Sequence, residues 1–212
     1  MLYTEVSFYT VIVTQTDKLE YLLESQRGIV TRNDAVEEGV NPRLLSEWVA
    51  EGKLERVQRG VYRSPDAPRG ELDSWLEVSL RVPQGVVCLL SAARFHELTT
   101  FAPSEVFVAL PNKAWRPKLD WPPVRYFYFS GSAYEYGIKE HPTGAGTVKI
   151  YSPEKTVADL LRYRNKLGEN LFLEALKTYV SRRGFSVPKL LEAARACRVE
   201  RLMQEYARTV LA

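Results

Sequence analysis

The stretch TRNDAVEEGVNPRLLSEWVAEGKLERVQRGVYR, residues Thr31–Arg63, decides how this chain reads. Thr31 precedes a short apolar pair, Ala35 and Val36, and Asp34 stands three residues on, the spacing of a helix N-cap with its reciprocal acid. Gly39 ends that helix. Asn41-Pro42 opens the next, Asn as the cap and Pro at the first helical position, with Leu44, Leu45, Trp48 and Val49 on one face. The two helices are joined only by Gly39 and Val40, the tight connection of a helix-turn-helix. Gly52 stops the second of them. EGKLERVQRGVYR then reads as a β-hairpin with Arg59-Gly60 at its tip, Leu54 and Val57 on one arm and Val61 and Tyr62 on the other. Strict alternation puts Leu54 and Val57 on opposite faces, so a bulge or twist is expected before the tip.

Upstream, Asp17 and Glu20 have the spacing of a capping box before Leu19, Leu22 and Leu23, predicting a first helix that ends near Arg27-Gly28. Ile29 and Val30 follow as a short extended piece. Helix, strand, helix, tight turn, helix and hairpin is the order of a winged helix-turn-helix, expected over residues 16–63. Residues 1–15, which include MLYTEVSFYTVIVT, are expected to form an N-terminal arm or edge strand. They lack a basic leading region and carry Glu5, unlike a signal peptide.

SPDAPRG, residues 64–70, breaks the periodic pattern and is read as a linker. Residues 71–212 are expected to form a mixed α/β domain. Its expected elements are an amphipathic helix over Glu71–Val82 and a buried strand over Gly85–Leu90. A helix capped by Ser91 then runs to Leu98, before strands in SEVFVALP, PVRYFYFS and TVKIYS. Ser152-Pro153 opens a helical remainder, with helices near Glu169–Arg182, Ser186–Ala196 and Val199–Leu211. The fold class is α+β: a winged helix-turn-helix followed by an α/β domain that ends in several helices.

The composition sets limits. The 212 residues carry a net charge of +3, so an anion-binding surface has to be local. Arginine supplies 19 of the 29 basic residues, and its planar fork suits phosphate and guanine. Two separated cysteines, Cys88 and Cys197, show neither metal-ligand nor disulfide spacing and fit buried thiols in a reducing cytoplasm. No apolar run reaches the ~20 residues of a membrane span.

The helix-turn-helix supplies the candidate site. Thr31, Arg32 and Asn33 stand at a helix N-terminus, where phosphate is favoured. Asn41, Arg43 and Ser46 lie on the polar strip of the third helix, whose first turns would enter a major groove. Arg43 is the candidate for a bidentate contact with guanine. Arg56, Gln58, Arg59 and Arg63 would serve the wing, on phosphate or in the minor groove. Arg27–Arg63 holds seven basic residues against six acidic, a net of only +1. Glu47 on the same strip has two readings, acceptor from a cytosine amino group or a charge that repels phosphate.

Other chemistries find less support. FSGSAYEYG, residues 129–137, has the Gly-Ser turn of a nucleotidyltransferase without the acid–x–acid pair that would hold its metals, and is read as a turn between strands. His96 and His141 assemble with no nucleophile, no phosphate-binding glycine loop is present, and no cofactor, metal or catalytic residue is assigned. The aromatic run VRYFYFS reads as a strand in a sheet covered on both sides, with base stacking as the alternative. From Lys177 onward eight Lys and Arg face three Glu, a net of +5, read as a solvated face.

GIVTRNDAVEEGVNPRLLSEWVAEGKLERVQRGVY resembles the N-terminal domain of AbiEi-type antitoxins, the regulators of type IV toxin–antitoxin and abortive-infection systems. LLSAARFHELT, SEVFVALP and YSPEKTVADLLRYRNKLG resemble the C-terminal region of that family in order and spacing. The resemblance implies a repressor that binds duplex DNA at inverted repeats in its own operon, as a monomer or dimer, and opposes a nucleotidyltransferase toxin in the cytoplasm. It carries the family's basic DNA-contacting positions onto Arg32, Arg43, Arg56 and Arg59. The rival expectations are a nucleotidyltransferase- or nuclease-like enzyme on the C-terminal domain and a winged-helix adaptor that binds protein.

Overall fold

The computed structural model describes residues 13–67, 71–143 and 146–211. They divide into two compact units, the first ending at Pro68 and the second starting at Arg69. The arm expected over residues 1–15 lies outside the described residues except for its last three, and the end of the 64–70 stretch lies outside them too.

The first unit contains α1 (Gln15–Ser25), β1 (Ile29–Thr31), α2 (Arg32–Glu37), α3 (Pro42–Ala50), β2 (Glu55–Gln58) and β3 (Val61–Arg63). Its helix ends account for their backbone groups locally. Thr14 caps α1, its hydroxyl accepting from the Asp17 amide while the Asp17 carboxylate accepts from the Thr14 amide at 2.7 Å. The expected box therefore sits one turn early: Asp17 is its acid and Thr14 its cap. Hydrogen bonds from the Thr14 amide and then its hydroxyl hold the Asp17 carboxyl below its ordinary value. Thr31 and Asp34 form the same reciprocal pair at α2. At the other end of α2, Gly39 (φ +76°) donates to Val36 O and Val40 to Ala35 O at 2.7 Å, the paired bonds of a Schellman stop. Asn41 then caps α3 through the Arg43 amide, with Pro42 at the first position.

β3 is the centre of a three-stranded antiparallel sheet, β1-β3-β2. Arg56 faces Tyr62 and Gln58 faces Val61, so Val57 is the extra residue of a bulge, as the spacing of Leu54 and Val57 predicts. Leu19, Leu22, Val30, Ala35, Val40, Leu45, Trp48, Leu54 and Tyr62 form the core. Of the apolar pair in α2, Ala35 is buried and Val36 is 51% exposed. Adjacent residues of a helix stand about 100° apart, and Ala35 with Val40 already fills the inner side.

The second unit contains α4 (Glu71–Arg81), β4 (Val86–Val87), α5 (Leu89–Phe95), β5 (Val106–Pro111), β6 (Val124–Phe129), α6 (Ser132–Glu135), β7 (Ile138–Thr143) and β8 (Gly146–Tyr151). The helices α7 (Pro153–Arg162), α8 (Arg164–Leu167), α9 (Glu169–Val180), α10 (Val187–Ala196) and α11 (Glu200–Leu211) complete it. The sheet runs β6-β5-β4-β8-β7, with β5–β6 and β4–β8 parallel and the other pairs antiparallel. Strands first and helices last make the chain α+β.

Three expectations for this unit are corrected. The strand at Gly85–Leu90 shrinks to Val86–Val87, because α5 starts at Leu89 with Cys88 as a cap that makes no side-chain bond. Ser91 lies inside α5, buried, where its hydroxyl accepts from the Phe107 amide and serves the sheet instead of the helix end. Third, VRYFYF is an edge strand and is not wholly covered: Tyr128 is 45% exposed. FSGSAYEYG forms the short helix α6, and Gly137 (φ +77°) follows it. A side chain at Gly137 would meet Lys155 Cβ at 2.8 Å, so this glycine permits a close approach to α7.

The apolar core of this unit encloses a charged pair. α7 buries Lys155, Thr156 and Asp159 along with its apolar residues. Lys155 Nζ lies 2.5 Å from Asp159 Oδ2 and 4.1 Å from the Tyr151 ring centre, and Cys197 Sγ donates to Asp159 Oδ1 at 3.2 Å. Burial pushes the Asp159 carboxyl above its ordinary value, and the Lys155 ammonium pulls it back down. Removing one partner of such a pair leaves an uncompensated buried charge. Asp159→Leu should therefore destabilise the C-terminal unit by about 3–5 kcal/mol in urea unfolding, and Lys155→Met with Asp159→Leu should recover most of that loss.

Candidate nucleic-acid interface

The first unit carries a concavity of about 710 Å³ lined by Thr31, Arg32, Asn33, Pro42, Arg43, Ser46, Arg56, Arg59, Gly60, Val61 and Tyr62. Three elements build it. The start of α2 supplies Thr31 to Asn33, the first turn and a half of α3 supplies Pro42 to Ser46, and the hairpin supplies Arg56 to Tyr62. The Arg32 amide donates to Gly60 O at 2.8 Å, which holds the hairpin tip against α2. Gly60 turns there at φ +82°.

Seven of the ten residues singled out in the sequence line this surface: Thr31, Arg32, Asn33, Arg43, Ser46, Arg56 and Arg59. The other three are placed differently. Asn41 is exposed but spends its side-chain oxygen on the Arg43 amide, as a cap. Gln58 ends β2, its backbone opposite Val61. Arg63 is 2% exposed and donates to Ala67 O at 3.2 Å, so the structure does not bring it to the concavity. It alternates with the core residue Tyr62, and its guanidinium is tied to the segment that follows β3.

The electrostatics are sharper than the sequence total. Four arginines line the surface and, among the described residues, no Asp or Glu does. Asp34 is occupied at the α2 cap and Glu51 lies 2.8 Å from Lys53. Glu47 pairs with Arg43, its Oε1 3.0 Å from Nε, on an exposed stretch of α3. That bond gives Glu47 a role the sequence did not suggest, holding the Arg43 guanidinium along the helix. The expectation for Thr31 also changes: its hydroxyl is consumed by the Asp34 amide, and the Asp34 carboxylate sits at the same helix end. Arg32 and Asn33 reach the surface by their side chains instead. Pro42, Gly60, Val61 and Tyr62 were not singled out in the sequence. Pairing of Arg56 with Tyr62 and the closeness of the tip to α2 bring them in.

Among the described residues there is no group of three or more His, Cys, Asp or Glu placed to hold a metal ion, and no helix long and apolar enough to cross a membrane.

Residues 17–65 match the family model of AbiEi antitoxin transcriptional regulators. The match spans the helix-turn-helix and the hairpin, and it supports an antitoxin-type regulatory role. LLSAARFHELT, SEVFVALP and YSPEKTVADLLRYRNKLG lie outside the matched residues. No curated protein sequence matches the chain significantly. Among solved structures, the crystal structure of the RV2827C protein from Mycobacterium tuberculosis is similar at TM-score 0.50 and 14% identity, covering 91% of this chain and 80% of that one. At that identity the likeness concerns the fold alone.

The geometry of the concavity depends on the α2 cap. Thr31→Ala removes the hydroxyl that meets the Asp34 amide and should cost the N-terminal unit about 1 kcal/mol. Hydrogen exchange at the Arg32 amide should accelerate in the same variant, because that amide's bond to Gly60 O rests on the same turn. Unchanged protection would separate the cap from the wing.

Proposed function

We propose that the chain is a sequence-specific duplex-DNA-binding repressor of the antitoxin type, with residues 16–63 as its winged helix-turn-helix. The observation that carries this reading is the concavity lined by Arg32, Arg43, Arg56 and Arg59 with no carboxylate among its described lining residues. B-DNA presents phosphates on both sides of a major groove wide enough for one helix. α3 enters that groove by its first turns, so Arg43 and Ser46 face base edges while Arg32 and Asn33 meet one phosphate strand and the wing meets the other. The wing is short, its tip held against α2, and its two arginines take phosphate or the shallow edge of the minor groove. Arg43 leaves Glu47 to form a bidentate contact with guanine.

Repression follows from occupancy: protein bound at inverted repeats in its own promoter excludes polymerase. The two half-sites are filled by a dimer or by cooperating monomers. The C-terminal unit opposes a nucleotidyltransferase toxin encoded with it, and both act in the cytoplasm. The family match over residues 17–65 supports the regulatory part of this reading.

Binding to the chain's own upstream DNA, measured by fluorescence anisotropy from 50 to 200 mM salt, tests it. Arg59→Ala should weaken binding and reduce the salt slope by about one phosphate contact, ~0.9 in log–log units. An unchanged slope would remove Arg59 from the interface. Arg43→Ala should relax preference at a single base position at a cost of about 1–3 kcal/mol. A uniform loss on all sequences would reassign Arg43 to phosphate. Glu47→Gln releases Arg43 and removes a negative charge, so it should tighten binding to duplexes of any sequence; weaker binding at one base position only would make Glu47 a base reader.

A further inference from the structure

The C-terminal unit carries a second surface where cations and bare aromatic rings stand together. The loop after β5, residues 112–120, reads NKAWRPKLD. Its Trp115 is 80% exposed, the most exposed large apolar side chain among the described residues. Lys113, Arg116 and Lys118 flank it, all exposed, and Asp120 is the loop's one acid. The loop is anchored at two points. The Ala114 amide donates to Pro111 O at 3.0 Å, and the Tyr126 hydroxyl donates to Pro117 O at 3.0 Å. The second bond lays the loop against β6.

β6 is an edge strand, and its alternation separates two sets of rings. Phe127 and Phe129 turn inward: Phe127 stacks on Phe107 at 5.4 Å and Phe129 on Tyr163 at 5.7 Å. Tyr126 and Tyr128 occupy the other face, on the side of their partners Val108 and Leu110. Tyr128 is 45% exposed there. Arg116 lies close enough to Tyr126 for its charge to oppose the upward push that burial gives the phenol. Two exposed rings thus belong to one anchored element: Trp115 to the loop with its three cations, and Tyr128 to the face of β6 that the loop is tied to.

We propose that this surface binds single-stranded nucleic acid, with Trp115 and Tyr128 as stacking platforms for bases and Lys113, Arg116 and Lys118 on the backbone phosphates. Stacking on aromatic rings combined with cations that track the backbone is the chemistry by which single strands are held without sequence preference. The cations favour a polyanion over a protein here. A protein partner covering Trp115 would have to desolvate three positive charges within six residues of chain, whereas a phosphate backbone pairs with them. Duplex DNA offers no free base faces to the rings, so this surface differs in ligand class from the arginine-lined concavity.

Labelled oligothymidylate and oligouridylate of about a dozen nucleotides, titrated with the full chain at low salt, test the proposal. The wild-type protein should bind at least one of them, and the pair of probes distinguishes a DNA from an RNA ligand. Trp115→Ala should weaken that binding on the order of tenfold and Trp115→Phe by less, since Phe keeps a ring. Tyr128→Ala should also weaken it. Arg59→Ala should leave single-strand binding unchanged, and Trp115→Ala should leave the affinity for the upstream duplex unchanged, which separates the two surfaces. Failure of the wild type to bind either probe would overturn the proposal and assign Trp115 to a protein partner. So would equal affinity in wild type, Trp115→Ala and Tyr128→Ala, or a parallel loss of duplex binding in Trp115→Ala.

Discussion

The bond from the Arg32 amide to Gly60 O is the constraint on which the N-terminal unit's surface depends. It ties the first residue of α2 to the tip of a hairpin almost thirty positions later in the chain. Around it, the cap of α2, the pairing of β1 with β3 and the bulge at Val57 become parts of one arrangement. β1 can pair with β3 only if Thr31 meets Val61, and that register delivers Gly60 to Arg32. The bulge at Val57 lets Arg56 face Tyr62 and Gln58 face Val61, so that pairing continues up to the tip. Local hydrogen bonding and tertiary pairing agree, and a foldable unit depends on that agreement between levels.

The second unit solves a different problem. Its most buried helix, α7, carries a lysine and an aspartate into the centre of an apolar core. The pair is tolerated because each charge has its own complement: Asp159 for Lys155, with the rings of Tyr151 and Phe129 facing the ammonium, and Cys197 as a further donor to the carboxylate. Gly137 belongs to the same arrangement, since only a residue without Cβ lets the chain after α6 pass so close to Lys155. The glycine-serine turn itself, Gly131-Ser132, opens α6, and its Ser132 hydroxyl donates to Ala196 O at 3.3 Å.

Local signals were legible where a short stretch decides the outcome by itself. The Thr31–Asp34 box, the Asn41-Pro42 start of α3, the Ser152-Pro153 start of α7 and the strands β5, β6 and β8 all follow from spacings of a few residues. The misreadings share a cause. Ser91 was taken as a cap because serine before an apolar run usually is one; its hydroxyl instead serves the Phe107 amide, sixteen residues away. Arg63 has the place of a wing residue among its neighbours in sequence, but the segment after β3 covers it and takes its guanidinium at Ala67 O. The strand at 138–143 went unread because IKEHPT is polar and proline-bearing, and it exists as the outer partner of β8.

By itself, the sequence determined the order of elements, the helix starts and stops, the short connection between α2 and α3, and the identity of the arginines available to the surface. Each of these depends on contacts within a turn or two of the chain. The tertiary structure decided which charges share a surface. A net of +1 over Arg27–Arg63 became four arginines around one concavity, because strand register and the Arg32–Gly60 bond gather residues from three elements while Asp34 is held in a cap and Glu47 and Glu51 in ion pairs. It also decided that Tyr126 is covered by the 112–120 loop while Tyr128, on the same face of the edge strand, stands exposed. Charge total and aromatic content are sums over the chain, whereas a binding surface depends on where the fold puts each member of the sum.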